Sequence, residues 1–161
     1  MKKGFTLIEL LVVVLIIGIL AAIAVPKYIK TVEQTRTTEV TLSLRTLAQA
    51  EEFYFLKTGS YSRADGSLPV SFPPTKYYDF AIVDTPTFNI TAVRKGAPDK
   101  VPSFKYFMQN PPNPYAGSIL CLAKADNDDA KSICENLGGI PLDTYPDTSV
   151  SAYTLNLKTA A

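Results

Sequence analysis

The sequence predicts an α+β protein in which a long N-terminal α-helix packs on an antiparallel β-sheet. An uninterrupted apolar run comes first, a segment of helical periodicity follows it, and short strand-like segments separated by turn residues fill the rest. With 161 residues, the chain suffices for one modest domain and is too short for two.

The apolar run extends over 21 residues, from Phe5 to Val25, and contains a single charged residue, Glu9. At about 1.5 Å per residue, a helix of this length spans roughly 32 Å, close to the thickness of a bilayer core. Lys2 and Lys3 precede the run and favour a cytoplasmic N-terminus, with the bulk of the chain outside. The run therefore predicts a transmembrane helix.

Gly4 and Glu9 distinguish this segment from a plain membrane anchor. A small residue at position 4 lets an extended backbone enter a protease site, and cleavage there would free the amino group of Phe5. A carboxylate in a bilayer helix costs about 3 kcal/mol, so Glu9 needs a partner. When such helices pack side by side, the Phe5 amino group of one subunit could neutralise Glu9 of its neighbour.

The segment Gly4-Phe5-Thr6-Leu7-Ile8-Glu9-Leu10 resembles the class III signal of type IV prepilins and type II secretion pseudopilins. The resemblance is close over about the first 30 residues and beyond them extends only to layout. It implies cleavage by a prepilin peptidase between Gly4 and Phe5, N-methylation of Phe5, and a role for Glu9 in subunit registration.

Gly18 and Pro26 match family positions between which the helix loosens in the filament. Their chemistry agrees, because glycine weakens a helix and proline removes a hydrogen bond.

Two other interpretations of the N-terminus stay open. A lone transmembrane anchor explains the apolar run but leaves the arrangement of Gly4 and Glu9 without a purpose. An ordinary secretory signal would be cut at the A-x-A site Ala22-Ile23-Ala24 and release a soluble domain beginning at Val25. Glu9 argues against that signal, since a charge is out of place in its apolar region.

Helical periodicity continues from Lys27 to about Lys57, and Thr58-Gly59 provides a C-terminal stop. Pro26 is expected to kink the joint without separating two domains. The predicted organisation is a leader over 1–4, a membrane or filament-core helix over 5–26, and a head over 27–161 that includes the amphipathic half of the helix.

A loop rich in Gly, Ser and Pro is expected over 59–76, followed by the sheet. The predicted strands are Tyr77–Val83, Phe88–Arg94, Phe104–Met108, Ser118–Ala123 and Ser149–Leu157. A short helix is predicted over Asp126–Leu137, capped by Asn127 or Asp128.

The cysteines, Cys121 and Cys134, suit one disulfide and favour an oxidising compartment. Their bond would close a 14-residue loop and stabilise the fold by about 3 kcal/mol. The spacing is far from the C-x-x-C of redox-active pairs. The arrangement resembles the cysteine-closed C-terminal region of type IV pilins.

The composition argues against an enzyme. The chain has no histidine, which removes the commonest general base and metal ligand, and no catalytic constellation or cofactor site is predicted. Asp126, Asp128 and Asp129 are weak candidates for Ca²⁺, a ligand that the pseudopilin resemblance allows, but the spacing of an EF-hand is missing. Acidic residues at a helix N-terminus explain them better.

Basic and acidic residues nearly balance, 16 against 15, so no global field favours nucleic acid. A local patch that could bind DNA or a surface is conceivable, and its residues would be Arg94, Lys95, Lys100 and Lys105. A solvated turn is the simpler interpretation.

The resemblance implies a structural protein, a pilin that polymerises with copies of itself. Its other partners would be the prepilin peptidase, an ATPase-driven assembly machinery and the inner membrane, before the subunit joins an extracellular pilus on a bacterial surface. A type II secretion pseudopilin is the alternative, and the C-terminal cysteine loop favours the pilin. Motility, adhesion, DNA uptake and secretion all remain open as its role.

Overall fold

The computed structural model describes residues 5–62, 75–84, 87–109 and 113–155. In chain order, the elements are α1 (Leu7–Thr58), β1 (Tyr78–Val83), β2 (Asn89–Arg94), β3 (Ser103–Phe107), β4 (Ile119–Lys124), α2 (Asp128–Asn136), β5 (Ile140–Leu142) and β6 (Val150–Leu155). A long helix followed by an antiparallel sheet confirms the predicted α+β class. Residues 63–74 of the predicted loop lie outside the described residues.

Helix α1 runs without interruption through Pro26 and joins the apolar run to the amphipathic segment. It ends at Gly59, whose φ of 76° places it in the left-handed region that glycine occupies without steric cost. The Gly59 N–H donates to the Phe55 carbonyl at 2.8 Å and satisfies one of the terminal acceptors. The predicted stop is confirmed, while a kink at Pro26 stays a prediction.

The described strands form one antiparallel sheet of six strands in the order β1-β2-β3-β4-β6-β5. The sequence analysis missed β5, which has three residues and contains Pro141. Proline cannot donate to a ladder, but an edge strand tolerates it, and β5 is an edge. The last predicted strand is confirmed as far as Leu155, and its remaining residues lie outside the described part.

The main core fills the space between α1 and the sheet. Val40, Leu44 and Leu47 of α1 are at most 2% exposed and face the sheet. A second cluster covers the opposite sheet face and consists of Phe107, Leu120, Leu122 and Ala152, under Tyr115, Leu142, Tyr145 and Val150. The central strand β4 is thus buried on both faces, which is why it is the most apolar strand.

Helix α2 is fixed to the sheet by its cap and by a disulfide. The Asn127 side chain accepts a hydrogen bond from the Ala130 N–H at 3.0 Å, so the cap is the first of the two predicted residues. Cys134 on α2 is bonded to Cys121 on β4, with 5.7 Å between their Cα atoms. The predicted disulfide is confirmed, and both of its ends lie in the core.

Candidate functional site

The first half of α1 exposes its apolar side chains on every side. The large hydrophobic residues from Leu7 to Val25 are between 48% and 84% exposed. Among the described residues, α1 is the helix that is long and apolar enough to cross a membrane, and its most apolar part has no buried residue. Water does not stabilise such a surface, so lipid or other protein must cover it.

Glu9 closes a capping box with Thr6. The Thr6 side chain accepts from the Glu9 N–H at 3.3 Å, and a Glu9 carboxylate oxygen accepts from the Thr6 N–H at 2.8 Å and from the Thr6 hydroxyl at 2.7 Å. The sequence analysis missed this role, although Thr-x-x-Glu before an apolar run is its signature. Glu9 therefore has partners inside its own subunit.

Of the other N-terminal candidate residues, the structure describes Phe5, Gly18 and Pro26. Gly4 lies outside the described residues, and Phe5 is 79% exposed. Gly18 and Pro26 lie inside the continuous helix, and a Cβ added at Gly18 would meet no heavy atom of the described residues within 4 Å. Loosening between Gly18 and Pro26 stays a prediction.

A partly buried charge cluster fastens α1 to the sheet just beyond the apolar segment. The Glu33 carboxylate accepts from Arg94 at 3.0 Å and from Arg36. The Arg36 guanidinium lies 4.0 Å from the centre of the Tyr77 ring, and Arg94 donates to the Tyr77 carbonyl at 3.1 Å. Burial raises the pKa of the neighbouring Tyr78 hydroxyl.

A second polar contact closes the far end of α1. The Glu51 side chain is fully buried and accepts from the Ser62 N–H at 2.9 Å and from the Ser62 hydroxyl. Burial raises the pKa of the Glu51 carboxyl, because the core disfavours its charged form. Next to it, Glu52 accepts from the Tyr61 hydroxyl at 3.0 Å. Both contacts hold the chain that follows α1 against the helix.

The conceivable basic patch is not a single surface. Arg94 is committed to Glu33, and Lys95 contacts Asp79 at 3.2 Å. Lys105 is paired in register with Leu120, which lies on the sheet face away from α1. Lys100 lines a groove at the base of the head. Arg94 and Lys100 thus line one groove, whereas Lys105 belongs to β3 and is paired with a residue of the opposite sheet face.

The acidic candidates for Ca²⁺ each lie near a lysine. Asp128 contacts Lys131 at 3.0 Å, and Asp129 contacts Lys30 at 3.6 Å. The Asp126 carboxylate is 4.0 Å from Lys124. Within the described ranges, no three acidic, histidine or cysteine side chains converge on a metal position. Asp128 and Asp129 lie in the first turn of α2, where their negative charge interacts favourably with the helix dipole.

The comparisons with known proteins match two successive parts of the chain to two families. Residues 1–25 match the family "Prokaryotic N-terminal methylation motif", and residues 26–101 match "Type IV minor pilin ComP, DNA uptake sequence receptor". The second match begins where the first ends, on the same helix. Together the two matches extend over residues 1–101, and this part of the chain has the prepilin motif and the pilin domain of type IV pilins.

The chain resembles type IV pilins and also a protein of a type II secretion system. It is 41% identical over 75 residues to "Type IV major pilin protein PilA" of Myxococcus xanthus, covering 47% of the chain and 33% of that protein. It is 35% identical over 103 residues to "Type IV major pilin protein PilE1" of Neisseria gonorrhoeae, covering 59% of the chain and 57% of that protein.

A third relative is "Type II secretion system core protein G" of Pseudomonas aeruginosa, which is 35% identical over 88 residues, 55% of the chain and 54% of that protein. The chain thus spans about half, or less, of the length of these curated relatives. No solved structure matches the pilin with significance.

Proposed function

We propose that this pilin is a structural subunit of a type IV pilus-like filament. The observation that carries the proposal is the exposed apolar half of α1, which lies within the methylation motif matched over residues 1–25. Bundling these helices would replace lipid contacts by protein contacts. The organisation would be a leader over 1–4, a core helix over 5–26 and a head over 27–161.

Processing would occur between Gly4 and Phe5, followed by N-methylation of Phe5. Intact mass and N-terminal sequencing of the protein from the native membrane fraction test this step. The proposal requires a start at Phe5 with one additional methyl group. A start at Val25 would overturn it, because α1 would lose its apolar half and Glu9 with it.

Glu9 would set the register between subunits by exchanging one hydrogen-bond donor for another. In the free subunit its carboxylate is held by Thr6, and in the filament it would accept the Phe5 amino group of a neighbour. We expect Glu9→Gln to be cleaved and inserted normally but to form few filaments. Thr6→Ala removes the cap and keeps the carboxylate, so it is the matched control. Normal filaments from Glu9→Gln would contradict the exchange.

A type II secretion pseudopilin is the alternative, favoured by the similarity to the secretion-system protein. The two functions differ in filament length and location. Electron microscopy of cells that express the chain at native level distinguishes them, because a pilin gives long surface filaments and a pseudopilin does not.

DNA capture is a second candidate role, favoured by the family matched over residues 26–101. The basic side chains near that segment are dispersed, so any DNA contact would come from filaments that repeat a weak site. Binding of duplex DNA to filaments at increasing salt tests it. A loss of affinity with salt indicates phosphate contacts, whereas no binding at low salt removes this role.

A further inference from the structure

A groove lies at the base of the head, where α1 leaves its apolar segment. It has a volume of about 420 Å³ and begins at Pro26. Its apolar lining comes from two helices and a connection, with Ile29 on α1, Ile133 on α2 and Val101 between β2 and β3. It is therefore formed only when the head is folded onto the helix.

The rim of the groove carries more positive than negative charge. Its described lining includes four cationic side chains, Lys27, Lys30, Arg94 and Lys100, and two carboxylates, Glu33 and Asp129. The Glu33 carboxylate forms ion pairs with arginine side chains. Asp129 is exposed and contacts Lys30 at 3.6 Å. In the described part of the chain, no carboxylate lies within 4.0 Å of the ammonium group of Lys27 or Lys100.

The groove lies at the depth of lipid headgroups. Along the helix axis, Lys27 is about 3 Å and Lys30 about 7.5 Å beyond Val25, the last residue of the apolar run. The headgroup layer on each side of a bilayer is about 5–8 Å thick. Lysines at this depth meet lipid phosphates, while the apolar lining meets the glycerol region below them.

We propose that the groove binds the headgroup of an anionic phospholipid from the leaflet on the side of the head. Lys27 and Lys100 hold the phosphate, and Ile29 and Val101 contact the glycerol and the first acyl carbons. The lipid would keep the head upright on the membrane until the subunit leaves for the filament. The inference rests on the membrane-inserted stage of the proposed function.

The test uses the full chain in vesicles of phosphatidylcholine alone and in vesicles that also contain phosphatidylglycerol. Hydrogen–deuterium exchange is followed over residues 95–101, the connection that carries Lys100. We expect slower exchange in the anionic vesicles, by about fivefold for each engaged lysine, and a weaker effect at high salt. The double substitution Lys27→Gln/Lys100→Gln should abolish this difference.

Lys57→Gln/Lys105→Gln changes the net charge equally at positions outside the groove and should keep the difference. Equal exchange in both vesicle types, or an unchanged difference in the Lys27→Gln/Lys100→Gln chain, would overturn the proposal. Protection that follows the protein-to-lipid ratio instead of lipid charge would also overturn it, by identifying a second copy as the occupant.

Extraction at alkaline pH separates this inference from the proposed function. A chain that resists extraction but shows no dependence on lipid charge contradicts the lipid site alone. A chain that is extracted was never inserted, and that result contradicts the membrane stage of both proposals.

Discussion

Individual residues of this pilin combine local stability with roles that need a second subunit. Glu9 is the clearest case, since its exposed carboxylate completes a cap in the free subunit, and in the proposed filament it would be the charge that a neighbour neutralises. Its contribution to the proposed assembly would therefore be the difference between two sets of hydrogen bonds. Such a difference favours correct register more than it strengthens association.

Glu51 makes the stability of the head depend on pH. Burial raises its native pKa above the unfolded value of about 4.3, so the native state binds the proton more tightly. The stabilisation is complete below the unfolded pKa and is lost as pH rises through the native pKa, at about 1.4 kcal/mol for each unit between the two.

Glu51→Gln should remove this loss, because the amide stays neutral and can still bond to Ser62. Urea unfolding at several pH values between 4 and 8 measures the effect, with exposed Glu39→Gln as the control. We expect the Glu51→Gln chain to gain stability over the wild type as pH rises. Parallel pH profiles for the two chains would contradict this account.

Gly139 is required by a close approach of α2 to β6. A Cβ at this position would lie 2.6 Å from the Cys134 carbonyl oxygen and 2.9 Å from Tyr153 Cβ. Gly139→Ala should therefore destabilise the head by about 1–3 kcal/mol, as overpacked sites do. Thermal unfolding measures the loss. Gly18→Ala is the control with open space around it, and equal melting temperatures for both variants would disprove the clash.

Among the elements, α1 has two halves with different partners. Its second half buries Val40, Leu44 and Leu47 in the head, while the first half has no partner among the described residues. Gly18 lies in the half that, in the proposed assembly, would change its surroundings from lipid to protein.

Gly18→Ala should stabilise α1 in the free subunit by about 0.5–1 kcal/mol, because alanine favours a helix over glycine. If the helix loosens between Gly18 and Pro26 during assembly, the same change should lower filament yield. Sheared filaments compared with membrane-held subunits give the yield, and Ala22→Gly is the converse control. A normal yield from Gly18→Ala would show that no loosening is required.

The elements that periodicity and turn residues describe could be predicted from the sequence, and contacts between distant residues could not. The stop at Gly59 and the cap at Asn127 depend on neighbouring residues, so local chemistry suffices. The pair Glu33–Arg94 joins residues that are 61 positions apart, and no local pattern records it. The groove could not be predicted for the same reason, since segments that are far apart in sequence supply its lining.

Over the whole molecule, the disulfide joins the two layers of the C-terminal region. Cys121 lies on the central strand and Cys134 on α2, so the bond holds α2 to the sheet. Cys121→Ser/Cys134→Ser should lower the free energy of unfolding by about 3 kcal/mol, mainly by enlarging the unfolded ensemble.

Denaturant unfolding with and without a reducing agent measures this loss. Reduction should lower the midpoint of the wild type and leave the double variant unchanged, which makes the variant its own control. An oxidised wild type that unfolds at the same midpoint as the double variant would contradict a stabilising role.

The strand order also has a consequence for how the head is made. β1, β2 and β3 each pair with the next strand along the chain, so the hairpins from β1 to β4 can form in sequence order as an exported chain emerges from a membrane. Among the described strands, β4 and β5 must both wait for β6, and α2 and β5 lie between β4 and β6 in sequence. Until β6 arrives, β4 is an open apolar edge of the kind that recruits strands from other chains. In the proposed exported subunit, the time between translocation of β4 and of β6 would thus be the interval of greatest exposure to aggregation.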